Sequence, residues 1–348
     1  MSHVEITLWA ALIIGLVFGI NGQISGFCLY RGLQHVFTGH SGDKLRSFGL
    51  ALAVAIAGTQ LASWAGLIDL SQSIYLTTSF SWLLIPVGGV LFGIGMTLSN
   101  GCGGRALVLL GQGNLRSLVV LLCLGIAAFM TLTGLLGPLR QDIANATPVG
   151  IEGVNALSAD ARLGLGLLVT AILLYFTFRQ SQFLRNRKDL FGGLVVGLLV
   201  VAGWLVTGWL GYDEFEPLPV TSVTFVSPIG ETIQYAMIAT GMKASFGIVI
   251  VSGVVLGALA SALLRGQFKL QGFETPQSMA RYMLGGVFMG IGGALAMGCS
   301  IGQGLTGLST LGASSVLAVA GILVGTRLAV CSPLSAPRFT LRKRVGDV

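Results

Sequence analysis

Charge is scarce in this chain. Only 9% of its 348 residues are charged, against about 25% in soluble domains. With 53% hydrophobic residues and a mean hydropathy of +0.85, a water-facing surface of this size cannot be built, which excludes an ordinary soluble domain. Histidine is nearly missing, at three residues, and none stands beside either of the two Gly-Cys pairs. No Cys-x-x-Cys occurs, so the five cysteines form no extracellular disulfide framework. No GxxxxGK[ST] loop is present, which excludes ATP coupling within the chain. The net charge of +7 includes Arg338, Arg342, Lys343 and Arg344 near the end. Basic flanks of this kind belong to cytoplasmic membrane loops as readily as to nucleic-acid binders, and no nucleic-acid partner is expected.

What is abundant is apolar runs and glycine. Runs long enough to cross a bilayer recur about nine times, over 8–26, 46–66, 82–100, 115–137, 162–179, 190–211, 242–264, 281–298 and 312–332. MSHVEITLWA has no Lys or Arg before its apolar stretch and reads as the first span rather than a cleavable signal. The 52 glycines suit close helix packing and broken helices. Lys and Arg crowd at Arg31–Arg46, Arg179–Lys188 and Arg265–Arg281 and in the tail, whereas the loops at 67–81 and 212–228 carry only acids, Asp69, Asp213, Glu214 and Glu216. The positive-inside rule then predicts an outside N-terminus and a cytoplasmic C-terminus.

The chain repeats itself. SFGLALAVAIAGTQLAS from Ser47 matches SFGIVIVSGVVLGALAS from Ser245, and GFCLYRGLQHVFTG from Gly26 stands where PIGETIQYAMIATG stands from Pro228. FGIGMTLSNGCGGR, over 92–105, matches MGIGGALAMGCSIG, over 289–302. The expected architecture is an all-α integral membrane protein of about nine spans plus short re-entrant helices, with two inverted four-span repeats around a linking helix. The divisions are a first repeat at 1–140, a linking loop and span at 141–189, and a second repeat with a basic tail at 190–348. An odd spacer span inverts the copies, and inverted repeats place transport sites near the bilayer midplane. Two copies of a packing motif with no passage between them is the plainer alternative.

Each Gly-Cys pair opens a segment too short to span and too apolar for a loop. Short helices that dip in and return fit best, and their free first-turn amides favour anions. Cys28, Cys102 and Cys299 are the candidate thiols, soft donors suited to a sulfur-bearing anion. Gly101, Gly103 and Gly298 shape the turns. Asn100 would hydrogen-bond an oxyanion, and Gln303, with Gln112, would supply polar lining. Arg105 either attracts a dianion or sits at the cytoplasmic rim. Glu231 either carries a coupling proton or caps a short helix. A soft metal on three thiols and plain burial are rival roles for the cysteines, and burial is the reading for Cys123 and Cys331. No metal and no cofactor are expected.

With the Gly-Cys turns, their glycine-rich followers, the early GFC element and the nine-span duplication, nearly the whole chain resembles the YeeE/YedE family of bacterial inner-membrane proteins. The resemblance implies thiosulfate uptake through an hourglass whose waist is lined by cysteines, which pass the ion along by S–H···S contacts. The family's three cysteines fall on Cys28, Cys102 and Cys299. Family members often couple to a small soluble sulfur-carrier protein on the cytoplasmic side, and some are tied to selenium or to other sulfur compounds. The competing activity is a membrane sulfurtransferase carrying a persulfide on Cys102 or Cys299, activated by Arg105 and the turn amides. An anion channel whose flux ignores the cysteines is the third reading.

Overall fold

The computed structural model describes residues 3–39, 41–77, 79–150, 157–211, 219–273 and 275–332. The basic tail beyond 332, the acidic run 213–216 and His40 lie outside the described residues. In chain order the helices are α1 (His3–Ser25), α2 (Leu29–Phe37), α3 (Asp43–Trp64), α4 (Leu84–Leu98), α5 (Gly103–Gly111), α6 (Leu115–Leu132), α7 (Gly137–Ala146), α8 (Ala159–Phe178), α9 (Ser181–Arg185), α10 (Arg187–Leu205), α11 (Val226–Ile238), α12 (Phe246–Leu264), α13 (Pro276–Leu295) and α14 (Ala313–Cys331). The strands β1 (Ser79–Ser81) and β2 (Pro148–Gly150) pair antiparallel.

Among the described residues, eight helical runs are long and apolar enough to cross a membrane, which makes this an all-α, multi-pass membrane protein. They contain α1, α3, α4, α6, α8, α10, α12 and α14. The expected span at 281–298 falls on α13, which is 20 residues long but not among the eight. It opens on Pro-Gln-Ser, carries Arg281 and holds five glycines, which lower its apolarity. It packs between α4 and α6, so its glycine faces meet protein.

The internal repeat is visible in the packing. Helix α1 lies on α12 as α10 lies on α3, and α4 lies on α14 as α13 lies on α6. Exchanging the halves turns each pair into the other. Corresponding helices run antiparallel. Along the α4–α13 seam, Gly88 faces Gly292 and Ala296 while Gly95 faces Gly285 and Met289, so numbers rise on one as they fall on the other. Likewise Ser25, at the end of α1, meets Gly192 near the start of α10, and the His3 ring reaches Leu210 O at 3.2 Å. The copies are therefore inverted. Helix α8 links them in sequence and packs mainly on α3, with Gly166, Thr170 and Thr177 as its buried residues.

One element departs from the expected symmetry. After Cys102 comes a nine-residue α-helix, α5, but after Cys299 comes a π turn, Gly302–Gly307. Ile301 O accepts from both Leu305 N at 2.9 Å and Thr306 N at 3.0 Å, which widens the coil. The second dip is thus a π-helical segment that runs on through Leu308 and Ser309, about as long as α5 but more widely wound.

Candidate functional site

The two Gly-Cys turns end their helices in the same way. Gly101 N–H donates to Met96 O at 2.9 Å and Gly298 N–H to Gly293 O at 2.8 Å, closing each helix with a long-range cap. The residue just before takes the left-handed conformation, with φ 59° at Asn100 and 57° at Met297. Asn tolerates that region better than most side chains, which gives Asn100 a conformational reason to stand there. Its side chain is exposed and is not part of the crevice described next.

From each turn the chain starts again at a cysteine. Cys102 is the N-cap of α5 and Cys28 the N-cap of α2, and both are buried. The two thiols are in side-chain contact, so the N-termini of α2 and α5 converge on one point. Gly302 N–H donates to Cys299 Sγ at 3.2 Å. The amides three residues on, Arg31 and Arg105, face Cys28 and Cys102 in the same sense without closing to a formal capping bond.

Cys28, Cys102 and Arg105 line one small crevice, walled by Phe18, Phe27, Val108 and Ile301. Arg105 is not at a rim. It is 8% exposed, its Nη1 donates to Gly22 O at 3.1 Å, and its Nε finds no partner among the described residues. No carboxylate pairs with it among the described residues either, where the ion pairs are Lys44–Asp189 and Arg46–Asp43. Arg31 is exposed beside the crevice, and both its guanidinium and the Lys44 ammonium lie within 4.0 Å of the Cβ position at Gly26. The crevice therefore has Arg105 in its wall and Arg31 beside it, Lys44 being paired with Asp189, and a buried cation without a counter-ion is costly unless an anion joins it.

The other predicted residues sit on either side of this point. Gly103 lies tight against Ile229 and Leu124, and Gly101 against the Arg105 stem. Gly298 has φ 157° and faces the Gln303 side chain. Gln303 is buried, its Nε2 donating to Ala296 O at 2.7 Å and Met297 O at 3.1 Å, so it ties the π turn back to the end of α13. Gln112 caps α5, and its carbonyl accepts from Lys269 N at 3.1 Å, away from the thiols. Glu231 accepts from Ser227 Oγ at 2.6 Å and Ser245 Oγ at 2.8 Å, tethering α11 to the start of α12. Cys123 is half-buried on α6 and Cys331 is exposed.

Several neighbours of the thiols were not foreseen. Ser300 is fully buried and its hydroxyl lies against Cys102, linking the second turn to the first. Ile301 reaches from the second repeat into the crevice, where the first repeat has Gly104 at the equivalent place. Tyr75 and Thr224 come from loops and meet the π turn at Gly302. Ser300 and Ile301 stood in the quoted repeat, whereas nothing in sequence spacing brings 75 and 224 to 302.

Comparison with known proteins gives the family. Residues 24–328 match the family described as sulphur transport. The chain is 26% identical over 334 residues to a protein named thiosulfate transporter TsuA from Spirochaeta thermophila, covering 91% of this chain and 96% of the relative. It is 25% identical over 313 residues to the thiosulfate transporter TsuA of Escherichia coli, covering 85% and 86%. The family match takes in α2 and all three thiol turns, and on its extent the chain belongs to the sulphur transport family.

Proposed function

We propose that the chain imports thiosulfate across the bacterial inner membrane and is not an enzyme. The observation that carries this reading is Arg105, buried without a carboxylate and sharing one crevice with the Cys28 and Cys102 thiols. Thiosulfate has two unlike ends. Its sulfonate oxygens want charge-assisted donors, which Arg105 and the first-turn amides of α2 and α5 would supply. Its terminal sulfur wants a soft, weak donor, which a thiol is. Cys299, Cys102 and Cys28 would hand that sulfur along by successive S–H···S contacts, with Gly101, Gly103 and Gly298 keeping the backbone clear. Each contact is weak, so release stays fast.

The same reading sets the direction. The crevice borders Arg31 and Lys44, on the side where the basic loops gather, which the positive-inside rule makes cytoplasmic. The N-terminus then lies outside and the C-terminus inside. A small soluble sulfur carrier would receive the ion at this basic mouth. Residues 1–140 and 190–348 would act as halves of one membrane unit, with 141–189 as the link between them.

The test is uptake of radiolabelled thiosulfate by cells lacking other sulfur importers, at matched membrane levels. Cys28→Ala, Cys102→Ala and Cys299→Ala are each expected to lower uptake at least tenfold. Parental uptake that survives all three changes would overturn the thiol relay. A persulfide on Cys102 or Cys299, found by mass spectrometry after turnover, would convert the reading to a sulfurtransferase.

A further inference from the structure

The two-fold relation between the repeats makes one substitution conspicuous. Three residues after Cys102 stands Arg105, and three residues after Cys299 stands Gly302. Where the first half holds a buried cation, the second half has no side chain at all. The vacated space is taken by two hydroxyls. A Cβ on Gly302 would lie 2.5 Å from Thr224 Oγ1 and 3.5 Å from Tyr75 Oη. Gly302 N–H itself is bonded to Cys299 Sγ. Thiol, phenol and alcohol therefore converge on one glycine.

Tyr75 is held there firmly. It is 2% exposed, and its ring packs edge-on against Trp204 with centroids 6.2 Å apart. Its hydroxyl lies beside Thr224 but closes no hydrogen bond among the described residues, which leaves a desolvated donor at the Cys299 turn. Buried hydroxyls normally find a partner, so an unpaired one marks a place that a ligand or water fills.

We infer that the Cys299 thiol, the Tyr75 phenol and the Thr224 hydroxyl form a second, uncharged binding station for the transported anion, equivalent by the two-fold to the Arg105 station. It rests on the transport reading above and adds where the ion stops and which groups read its oxygens. The two hydroxyls donate to the sulfonate oxygens while Cys299 meets the terminal sulfur. Tyr75 belongs to the loop between α3 and α4, which carries no Lys or Arg, so this station serves the face opposite the basic one. A neutral site at that face and a cationic one at the other order the path from weak to strong attraction. Ser300, between Cys299 and Cys102, marks the step from one to the other.

The experiment is thiosulfate uptake kinetics in cells, together with calorimetric binding of sodium thiosulfate to the purified protein. Tyr75→Phe keeps the ring on Trp204 and removes only the donor, and Thr224→Val does the same for the alcohol. Each is expected to raise KM and Kd about tenfold, as losing one hydrogen bond to a charged group does, while maximal uptake stays within threefold or so. Gly302→Ala needs no unusual backbone angle but sets its methyl 2.5 Å from Thr224 Oγ1, pushing that hydroxyl out of place, and is expected to abolish uptake. Parental KM and Kd in both Tyr75→Phe and Thr224→Val would overturn the station and leave the transport reading intact. A parent chain that takes up no thiosulfate would instead overturn the transport reading, and the station's ligand with it. If Tyr75→Phe fails to reach the membrane, Thr224→Val and its Kd decide alone.

Discussion

In the role proposed for it, Arg105 would trade stability for function. Moving a guanidinium out of water without a partner costs several kcal/mol even after relaxation. Its one bond goes to Gly22 O, which also accepts from Gly26 N at 3.1 Å and so would keep a partner if Arg105 were lost. Arg105→Met should therefore raise the melting temperature of the purified protein while lowering thiosulfate uptake at least tenfold. Arg105→Lys should keep part of the uptake, because the charge survives but the planar fork does not. A Met variant that melts lower than the parent would mean the arginine is a structural strut, and the charge argument would fail. At this scale the sequence was partly legible. Cys102 and Cys299 announced themselves because the repeat set both at one turn. Tyr75 and Thr224 did not, because loops deliver them from far along the chain and loops carry no period to read.

At the scale of elements, the glycines act through close approach. A Cβ on Gly292 would stand 2.5 Å from Phe92 N and 2.6 Å from Gly88 O, against backbone that cannot move aside. Forcing a methyl into such a seam costs about 1–3 kcal/mol. Gly292→Ala should lower the unfolding midpoint in detergent accordingly. Gly164, on the peripheral α8, has nothing within 4 Å of its Cβ position, and there Ala should be neutral or stabilising by up to about 1 kcal/mol. Equal shifts in the two variants would remove the packing explanation. The spans themselves could be read from apolar run length, since lipid demands some twenty residues wherever the chain crosses. What could not be read were α7 and the β1–β2 ribbon, which are short, polar and fixed by pairing between residues 79–81 and 148–150. The π turn after Cys299 was also hidden, because Gln303 reaching back to Ala296 and Met297 is a tertiary event.

For the whole molecule, the inverted repeats are interleaved, and this limits how transport can work. Each half packs chiefly against the other: α1 on α12, α3 on α10, α4 on α14, α6 on α13, and α4 on α13. Several of these seams are glycine against backbone, as at Gly15 with Gly253, Gly89 with Gly321 and Gly193 with Ser47. Rocking one half against the other would open all of them at once, and each packed seam resists small slippage. The narrow part of the proposed path, by contrast, would be made of turns and side chains: the N-caps of α2 and α5, the π turn and Ile301. Passage should therefore need only local movement there. Spin labels on α3 at Trp64 and α12 at Leu264, both exposed ends, report the relation between the halves. With Cys123 and Cys331 replaced, since these are the two cysteines not buried, only the introduced sites take label. The distance distribution in lipid nanodiscs is expected to stay the same with and without thiosulfate. A displacement of several ångströms on adding the ion would show that the halves do rock, and would move the search for the gate from the cysteine turns to the glycine seams.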